Sequence, residues 1–464
     1  MHYVSTRGGA PRLDFEGAML AGLARDGGLY VPETWPQMTQ AEIAALAGLP
    51  YEEAALRVMR PFTGDTFTDA EFRLILRRAY AGFGHPARAP LVQIGPSEWL
   101  LELWHGPTLA FKDLAMQLIG EMLDAVLTRS RSRITIIGAT SGDTGSAAIE
   151  AFRGRISASV FILFPEGRVS EVQRRQMTTP KEANVHALAL HGDFDDCQAR
   201  VKELFNDHCF RDEVSLGAVN SINWARVLAQ VVYYFTAAVA LGAPGRPVRF
   251  AVPTGNFGDI FAGYVAKRMG LPIERLVIAT NRNDILHRTL TTGEHRREGA
   301  HRTISPSMDI EISSNFERLL FELHDREGRA VAEVMEELRT AGGFRLSQGA
   351  LERLRAAFDS ARVSEDDPRV TIREAEAATG HVLCPHTAVG LCAARARPGD
   401  PGVPTVVLAT AHAAKFPDAV EEACGTRPSL PARMADLFDR PERVTYVQND
   451  AAALKTFIRQ DIGR

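Results

Sequence analysis

From about Leu91 onward the sequence predicts an α/β protein with parallel-rich sheets, preceded by a mostly helical N-terminal region. Two observations carry this. Short β-branched or apolar runs alternate with amphipathic runs through the middle of the chain, the pattern of strands joined by crossover helices. The first ninety or so residues instead place apolar residues at helical spacing.

Taken in order, 15-FEGAMLAGLARDGG-28 reads as an amphipathic helix ended by two glycines. The runs 51-YEEAALRVMRPF-62 and 69-DAEFRLILRRAYAGF-83 repeat the helical period, and HPARAP makes a boundary. Strand–helix pairs follow at 133–140 and 143–152, 159–165 and 170–177, 185–190 and 194–205, and 248–254 and 258–270, then a strand at 275–280. From about Asn315 to Ala378 the mixture of charges reads as solvated helices. A strand at 404–410 leads into 411–424, and 449–462 is a last helix. The longest apolar run, 225-ARVLAQVVYYFTAAVALGA-243, opens with Arg226 and reads as a buried helix, not a membrane span.

The 464 residues, 45% hydrophobic and 24% charged, suffice for two or three domains. A net charge of −4 gives no reason to expect capture of nucleic acid or an anionic membrane. The N-terminus lacks a basic region followed by an apolar core, so no signal peptide is expected. Cys197, Cys209, Cys384, Cys392 and Cys424 are scattered without CxxC spacing, which fits reduced thiols in a cytoplasmic protein.

Three loops lie where parallel sheets bind ligands, at the carboxyl ends of strands. The first, 138-GATSGDTGS-146, is rich in hydroxyls and ends at a helix start, which suits a carboxylate or phosphate. It lacks the lysine of a P-loop and the GxGxxG spacing. It reads equally well as a capped polar turn. The second, 253-PTGNFGDIF-261, places Gly255 and Gly258 where backbone can approach a phosphate. Gly-Asn also makes ordinary turns. The third, 408-LATAHAAKF-416, carries Thr410, His412 and Lys415; singly, each reads as a cap or a solvated charge.

Lys112, in 105-HGPTLAFKDLAMQLIG-120, sits among apolar residues at a helix start. A desolvated amine there can act as a nucleophile. With two anion-ready loops, it suits a phosphate-bearing aldehyde, which describes pyridoxal phosphate. On spacing alone, a snorkelling lysine paired with Asp113 or a neighbouring Glu reads slightly better.

HGPTLAFKD, GATSGDTG, NSINWARVLAQ (220–230), PTGNFGD and ATAHAAKF together resemble the threonine synthase family, in the branch found in fungi and many proteobacteria. So do YVSTRG (3–8), FEGAMLAGLARDGGLYVPE (15–33) and SSNFERLLFEL (313–323), and the resemblance runs from about Tyr3 to Asp418. It implies a fold-type II pyridoxal phosphate enzyme: two α/β lobes with the cofactor between them, plus an N-terminal mostly helical domain. The expected domains are 1–92, a catalytic region at 93–425, and a C-terminal extension at 426–464 packing on it. It implies conversion of O-phospho-L-homoserine and water to L-threonine and phosphate, in the cytoplasm, by a monomer or homodimer.

Carried over by motif, Lys112 would be the Schiff-base lysine and the mover of the α-proton. Thr140, Ser141, Gly142 and Thr144 would face the substrate carboxylate, and Asp143 the cofactor's 3-hydroxyl side. Gly255, Asn256, Phe257, Gly258 and Asp259 would cradle the cofactor phosphate, and Thr410 would sit by the pyridine nitrogen. Arg226 and Lys415, with Ser141, are the candidates for the substrate phosphate. Asp143 departs from the Asn usual in the wider superfamily, although Asp is typical of this branch. Ala115 departs from a common glycine and should affect only helix packing. The rival readings are a threonine or serine dehydratase, a β-replacing synthase, or a non-catalytic remnant. His381, Cys384, His386 and Cys392 cluster in sequence, but their spacing fits no structural zinc pattern. PHTAVG resembles a scaffold segment of the family, so no metal is expected.

Overall fold

A computed structural model of the chain describes residues 1–462. Two sheets organise it. The six-stranded sheet runs, edge to edge, Phe358–Arg362, Ile273–Thr280, Val248–Pro253, Thr405–Ala409, Glu98–Glu102 and Leu91–Gln93. All its pairings are parallel except the last. The five-stranded sheet runs Thr445–Val447, Val185–Leu190, Ala158–Pro165, Ile134–Ala139 and Leu216–Gly217, parallel throughout. Parallel strands covered on both faces lose their polar alternation. Ala158–Pro165 shows this, with every residue buried.

The N-terminal region packs through a short antiparallel pair, Tyr3–Ser5 with Tyr30–Pro32, and through helices Phe15–Ala21, Tyr51–Thr63 and Asp69–Tyr80. Asp14 and Thr68 accept from the backbone N–H of their first turns, which defines two of these helix starts. The region is bound to the helix Trp224–Ala240 by aromatic packing. Tyr3, Trp35 and Phe62 each lie 6.0 Å from Trp224, centroid to centroid. Trp224 Nε1 donates to Tyr3 Oη (3.2 Å), which donates to the Phe62 carbonyl (2.8 Å). This joins the N-terminal helices to the interior that the two lobes share.

Three expectations change. The helix expected over 15–28 stops at Ala21, because Gly22 adopts φ +64° and a Cβ there would lie 2.9 Å from the Ala218 carbonyl. The helical stretch 315–378 is interrupted by strands Gly343–Arg345 and Phe358–Arg362. Finally, strand Leu91–Gln93 straddles residue 92 and belongs to the six-stranded sheet. The segment after 425 supplies Thr445–Val447, an edge strand of the other sheet, and the helix Ala451–Ile462.

Candidate active site

Lys112, Asp143 and Gly258 are each the first residue of a helix: Lys112–Ser130, Asp143–Phe152 and Gly258–Arg268. None of the three helices has a side-chain cap at its start. At the Lys112 helix the N–H groups of Asp113 and Leu114 already donate to the Ala110 and Phe111 carbonyls, and at the Asp143 helix that of Gly145 donates to Thr140 Oγ1, so the Gly258 helix start is the one most open to an anion. Gly258 follows a strand of one sheet and Asp143 a strand of the other, so the site lies between the lobes. The Lys112 loop is fixed against the Thr410 loop by Phe111 N–H donating to the Thr410 carbonyl (2.8 Å) and His412 N–H to that of Leu109 (3.0 Å).

Asp143 is the hub. Its Oδ1 lies 2.8 Å from Lys415 Nζ and accepts from Gln173 Nε2 (2.9 Å). Its Oδ2 lies 3.4 Å from Lys112 Nζ and accepts from Ser307 Oγ (3.2 Å). Burial alone would raise this carboxyl; Lys415 and Lys112 outweigh it and hold it well below the usual range. The Lys112 amine is lowered, chiefly by burial, against the pull of Asp143 and with help from Lys415 and Arg226. Lys415 is fully buried and also donates to the Thr108 carbonyl (2.8 Å), so two of its three donors are taken. Asp113 is pushed up by burial to about 6, against donations from Thr108 Oγ1 (2.7 Å) and N–H (2.8 Å).

Arg226 is 3% exposed and has no carboxylate within 4 Å among the described residues. Its Nη1 donates to the Val219 carbonyl at 3.3 Å and its Nε has no partner. Burial lowers this guanidinium to about 10. A buried guanidinium in this state is an anion site by chemistry.

The hydroxyl loop closes on itself. Thr140 Oγ1 accepts from Gly142 and Gly145 N–H (2.9 Å each), and a Cβ on Gly142 would strike Gln173 at 2.3 Å. Ser141 and Thr144 are half-buried. In the glycine loop a Cβ on Gly255 would lie 2.7 Å from the Ser307 carbonyl. Asn315 donates to the Asn256 carbonyl through N–H and Nδ2 (3.0 Å each), and Phe257 is left-handed at φ +64°. The Asp259 carboxylate turns into the interior, where Tyr233 and Tyr234 Oη donate to Oδ1 and Oδ2 has no partner.

Burial raises the Asp259 carboxyl to about 7, against the two tyrosine donors. A folded-state value above the unfolded one favours folding below about pH 4, and that contribution is lost as pH rises through 7. In the cofactor-free protein, Asp259→Asn should therefore gain thermal stability relative to the parent between pH 5 and pH 8. The gain is on the order of a few kcal/mol at most. Paired melting curves check this; a difference independent of pH would show an unperturbed carboxyl.

Sequence reasoning did not find Gln173 or Ser307, and it read His386 only as scaffold. His386 is 4% exposed and accepts from Ser307 N–H at Nε2 (3.1 Å), which puts its proton on an unpartnered Nδ1. Burial lowers the imidazole to about 4, with Asp143 opposing and Lys112 and Lys415 reinforcing. The PHTAVG segment was the available signal. Cys384 instead caps its own helix by accepting from Thr387 N–H (3.4 Å), and Cys392 lies 2.9 Å from Thr371 Oγ1.

A family model described as threonine synthase N terminus matches residues 2–80, one for pyridoxal-phosphate-dependent enzymes matches 85–338, and one for the threonine synthase C-terminal region matches 387–458. The threonine synthase of Pseudomonas aeruginosa is 54% identical over 99% of this chain and 98% of its own length. The chain belongs to the threonine synthase family. A crystal structure of PLP-bound threonine synthase from Brucella melitensis superposes with a TM-score of 0.97 at 56% identity, covering 99% of each chain. Yeast threonine synthase superposes with a TM-score of 0.94 at 40% identity, covering 100% of this chain and 99% of its own. Like its family, the chain is a pyridoxal-phosphate-dependent enzyme of the fold-type II class. Its donor set fits that cofactor: a buried amine of lowered pKa for the aldehyde, and uncapped helix starts for the phosphate. The dehydratase and β-replacement readings are not favoured, because the N- and C-terminal models are specific to threonine synthases. Among the described residues no helix is long and apolar enough to cross a membrane.

Proposed function

We propose that this chain converts O-phospho-L-homoserine and water to L-threonine and phosphate, the last step of threonine biosynthesis. The observation that carries the choice of substrate is Arg226, a buried guanidinium with no carboxylate partner in a site that already has a lysine and uncapped helix starts. A cofactor phosphate on the glycine loop leaves this cation for a second phosphate, the one on the substrate. The remaining Lys415 donor and Ser141 supply further hydrogen bonds to it.

In this reading Lys112 Nζ holds the cofactor aldehyde. Gly255, Asn256, Phe257, Gly258 and Asp259 would receive its phosphate at the helix start, and Thr410 would be the residue toward the pyridine nitrogen. Bound there, pyridoxal phosphate supplies an electron sink for negative charge at the substrate's α carbon. Thr410, a neutral hydroxyl and not a carboxylate, would restrain that sink. Thr140, Ser141, Gly142 and Thr144 receive the substrate carboxylate at the second helix start. Lys112, lowered by burial, takes the proton from Cα and later returns it. Asp143 holds Lys112 and Lys415 and would face the 3-hydroxyl side of the cofactor. Arg226 holds the phosphate on Cγ while it leaves. Closure of the lobes would keep bulk water out until it adds at Cβ.

All five cysteines are free thiols, which suits the reducing cytoplasm, where the enzyme would act as a monomer or homodimer. The test is phosphate release from O-phospho-L-homoserine by the cofactor-loaded protein. Phosphate and threonine should form in equal amounts. A protein that binds the cofactor but releases no phosphate would remove the substrate assignment and leave the family intact.

A further inference from the structure

Asp143 takes four donors on two oxygens. Lys415 and Gln173 bond Oδ1 at 2.8 and 2.9 Å, while Lys112 and Ser307 share Oδ2 at 3.4 and 3.2 Å. A carboxylate offers about four lone-pair sites, so this one is fully used. Lys112 makes the longest of the four contacts, and the donor it shares its oxygen with is neutral.

Ser307 reaches Asp143 across the gap between the lobes. It lies in the turn Pro306–Met308, beyond the strand Ile273–Thr280 of the six-stranded sheet. Asp143 follows the strand Ile134–Ala139 of the five-stranded sheet. The turn is anchored from behind. His386 Nε2 accepts from Ser307 N–H (3.1 Å), and Met308 N–H donates to the Ser305 carbonyl (3.0 Å). Asn281 Nδ2, just past the end of the strand, lies 2.9 Å from both Ser305 Oγ and Asp309 Oδ1, on either side of the turn. Met308 is buried, while Ser307 itself is half-buried.

We propose that Ser307 is a positioning residue that shares Asp143 Oδ2 with Lys112 and so limits how strongly the carboxylate holds the lysine's proton. A hydrogen bond to the charged carboxylate stabilises it and lessens what it offers a second donor. Without the hydroxyl, Oδ2 serves Lys112 alone, and the ammonium form of Lys112 gains. The neutral amine is the form that reacts with an aldehyde or accepts a proton. From other elements Lys415 and Arg226 face Lys112 and disfavour its ammonium, and the His386 imidazole stands beside the same group. None of these side chains is altered by a change at Ser307. The inference rests on Lys112 as the amine that takes the cofactor aldehyde.

The test is the rate at which the cofactor-free protein captures pyridoxal phosphate, read from the absorption of the lysine-linked cofactor. The parent and Ser307→Ala are compared from about pH 6 to about pH 9.5. Alanine keeps the backbone N–H to His386 and the carbonyl against Gly255, so the variant should fold. At the acid end Ser307→Ala should capture cofactor at least about threefold more slowly, because more of its Lys112 is protonated. The two rates should converge as pH rises and the amine becomes neutral in both. Ionisations of the cofactor itself are common to both proteins and cancel in the ratio. A ratio independent of pH would make Ser307 scaffold and overturn the proposal, as would a variant that is faster at the acid end. Lys112→Ala is run beside them. Formation of the same absorption there would remove the underlying reading of Lys112, and the proposal with it.

Discussion

Replacing Lys112 by alanine is expected to lower phosphate release from O-phospho-L-homoserine by at least about four orders of magnitude, the upper range for a general base. The loss should appear in kcat and kcat/KM together, because the amine acts on the reacting atoms and not on substrate affinity. The argument rests on placement. The amine is buried among apolar neighbours, 3.4 Å from Asp143, with its protonated form disfavoured by desolvation. No second amine is equivalent to it, because Lys415 already bonds Asp143 and the Thr108 carbonyl. The variant should still fold, since Lys415 remains to balance Asp143. It should also lose the absorption of the lysine-linked cofactor. Near-native turnover in Lys112→Ala, measured on folded protein, would reject the assignment.

Arg226→Met should give changes of opposite sign in activity and stability. The guanidinium has a single carbonyl contact at 3.3 Å and an unpartnered Nε, so in the cofactor-free protein it is a charge buried without compensation. Its lowering to about 10 corresponds to a penalty on the order of 3 kcal/mol. Substitution by an apolar side chain of similar length should therefore raise the melting temperature of the cofactor-free protein. The same change removes the proposed partner of the substrate phosphate. The expected fall in kcat/KM is about 30- to several thousand-fold, equivalent to about 2–5 kcal/mol, mostly as a higher KM. Arg226→Lys should recover part of it, because charge survives without the bidentate fork. A lower melting temperature with an unchanged KM would make Arg226 part of the scaffold.

The parallel sheets were legible because their inner strands are nearly continuous apolar runs, as in Val185–Leu190 and Ala158–Pro165. Phe358–Arg362 was not legible. It lies at a sheet edge, and Asp359 survives inside it because Arg249 pairs with it at 3.1 Å. Glu98–Glu102 is interior, but its charge at Glu98 is matched by Arg395 at 3.0 Å from another element. In the site, Lys112, Asp143 and Thr410 stood out because each interrupts or follows an apolar run at a strand–helix junction. Ser307 could not be found this way. It reaches Asp143 across 164 positions from a single 3-10 turn, Pro306–Met308, in a stretch without periodicity. Nothing local to Gln173 reveals its second role, because as the third residue of its helix it already completes a capping box with Ser170.

The edge strand Thr445–Val447 also carries a consequence for biosynthesis. Its partner, Val185–Leu190, is made far earlier in the chain. At about 5–20 residues per second, that neighbour leaves the ribosome tens of seconds before the strand that covers it. The five-stranded sheet therefore cannot close in step with translation. Its hydrogen-bonding edge stays open through the synthesis of the whole second lobe, a period in which an unpaired strand invites pairing with other chains. A nascent chain stalled before residue 445 should be a substrate for chaperones rather than a partly active enzyme.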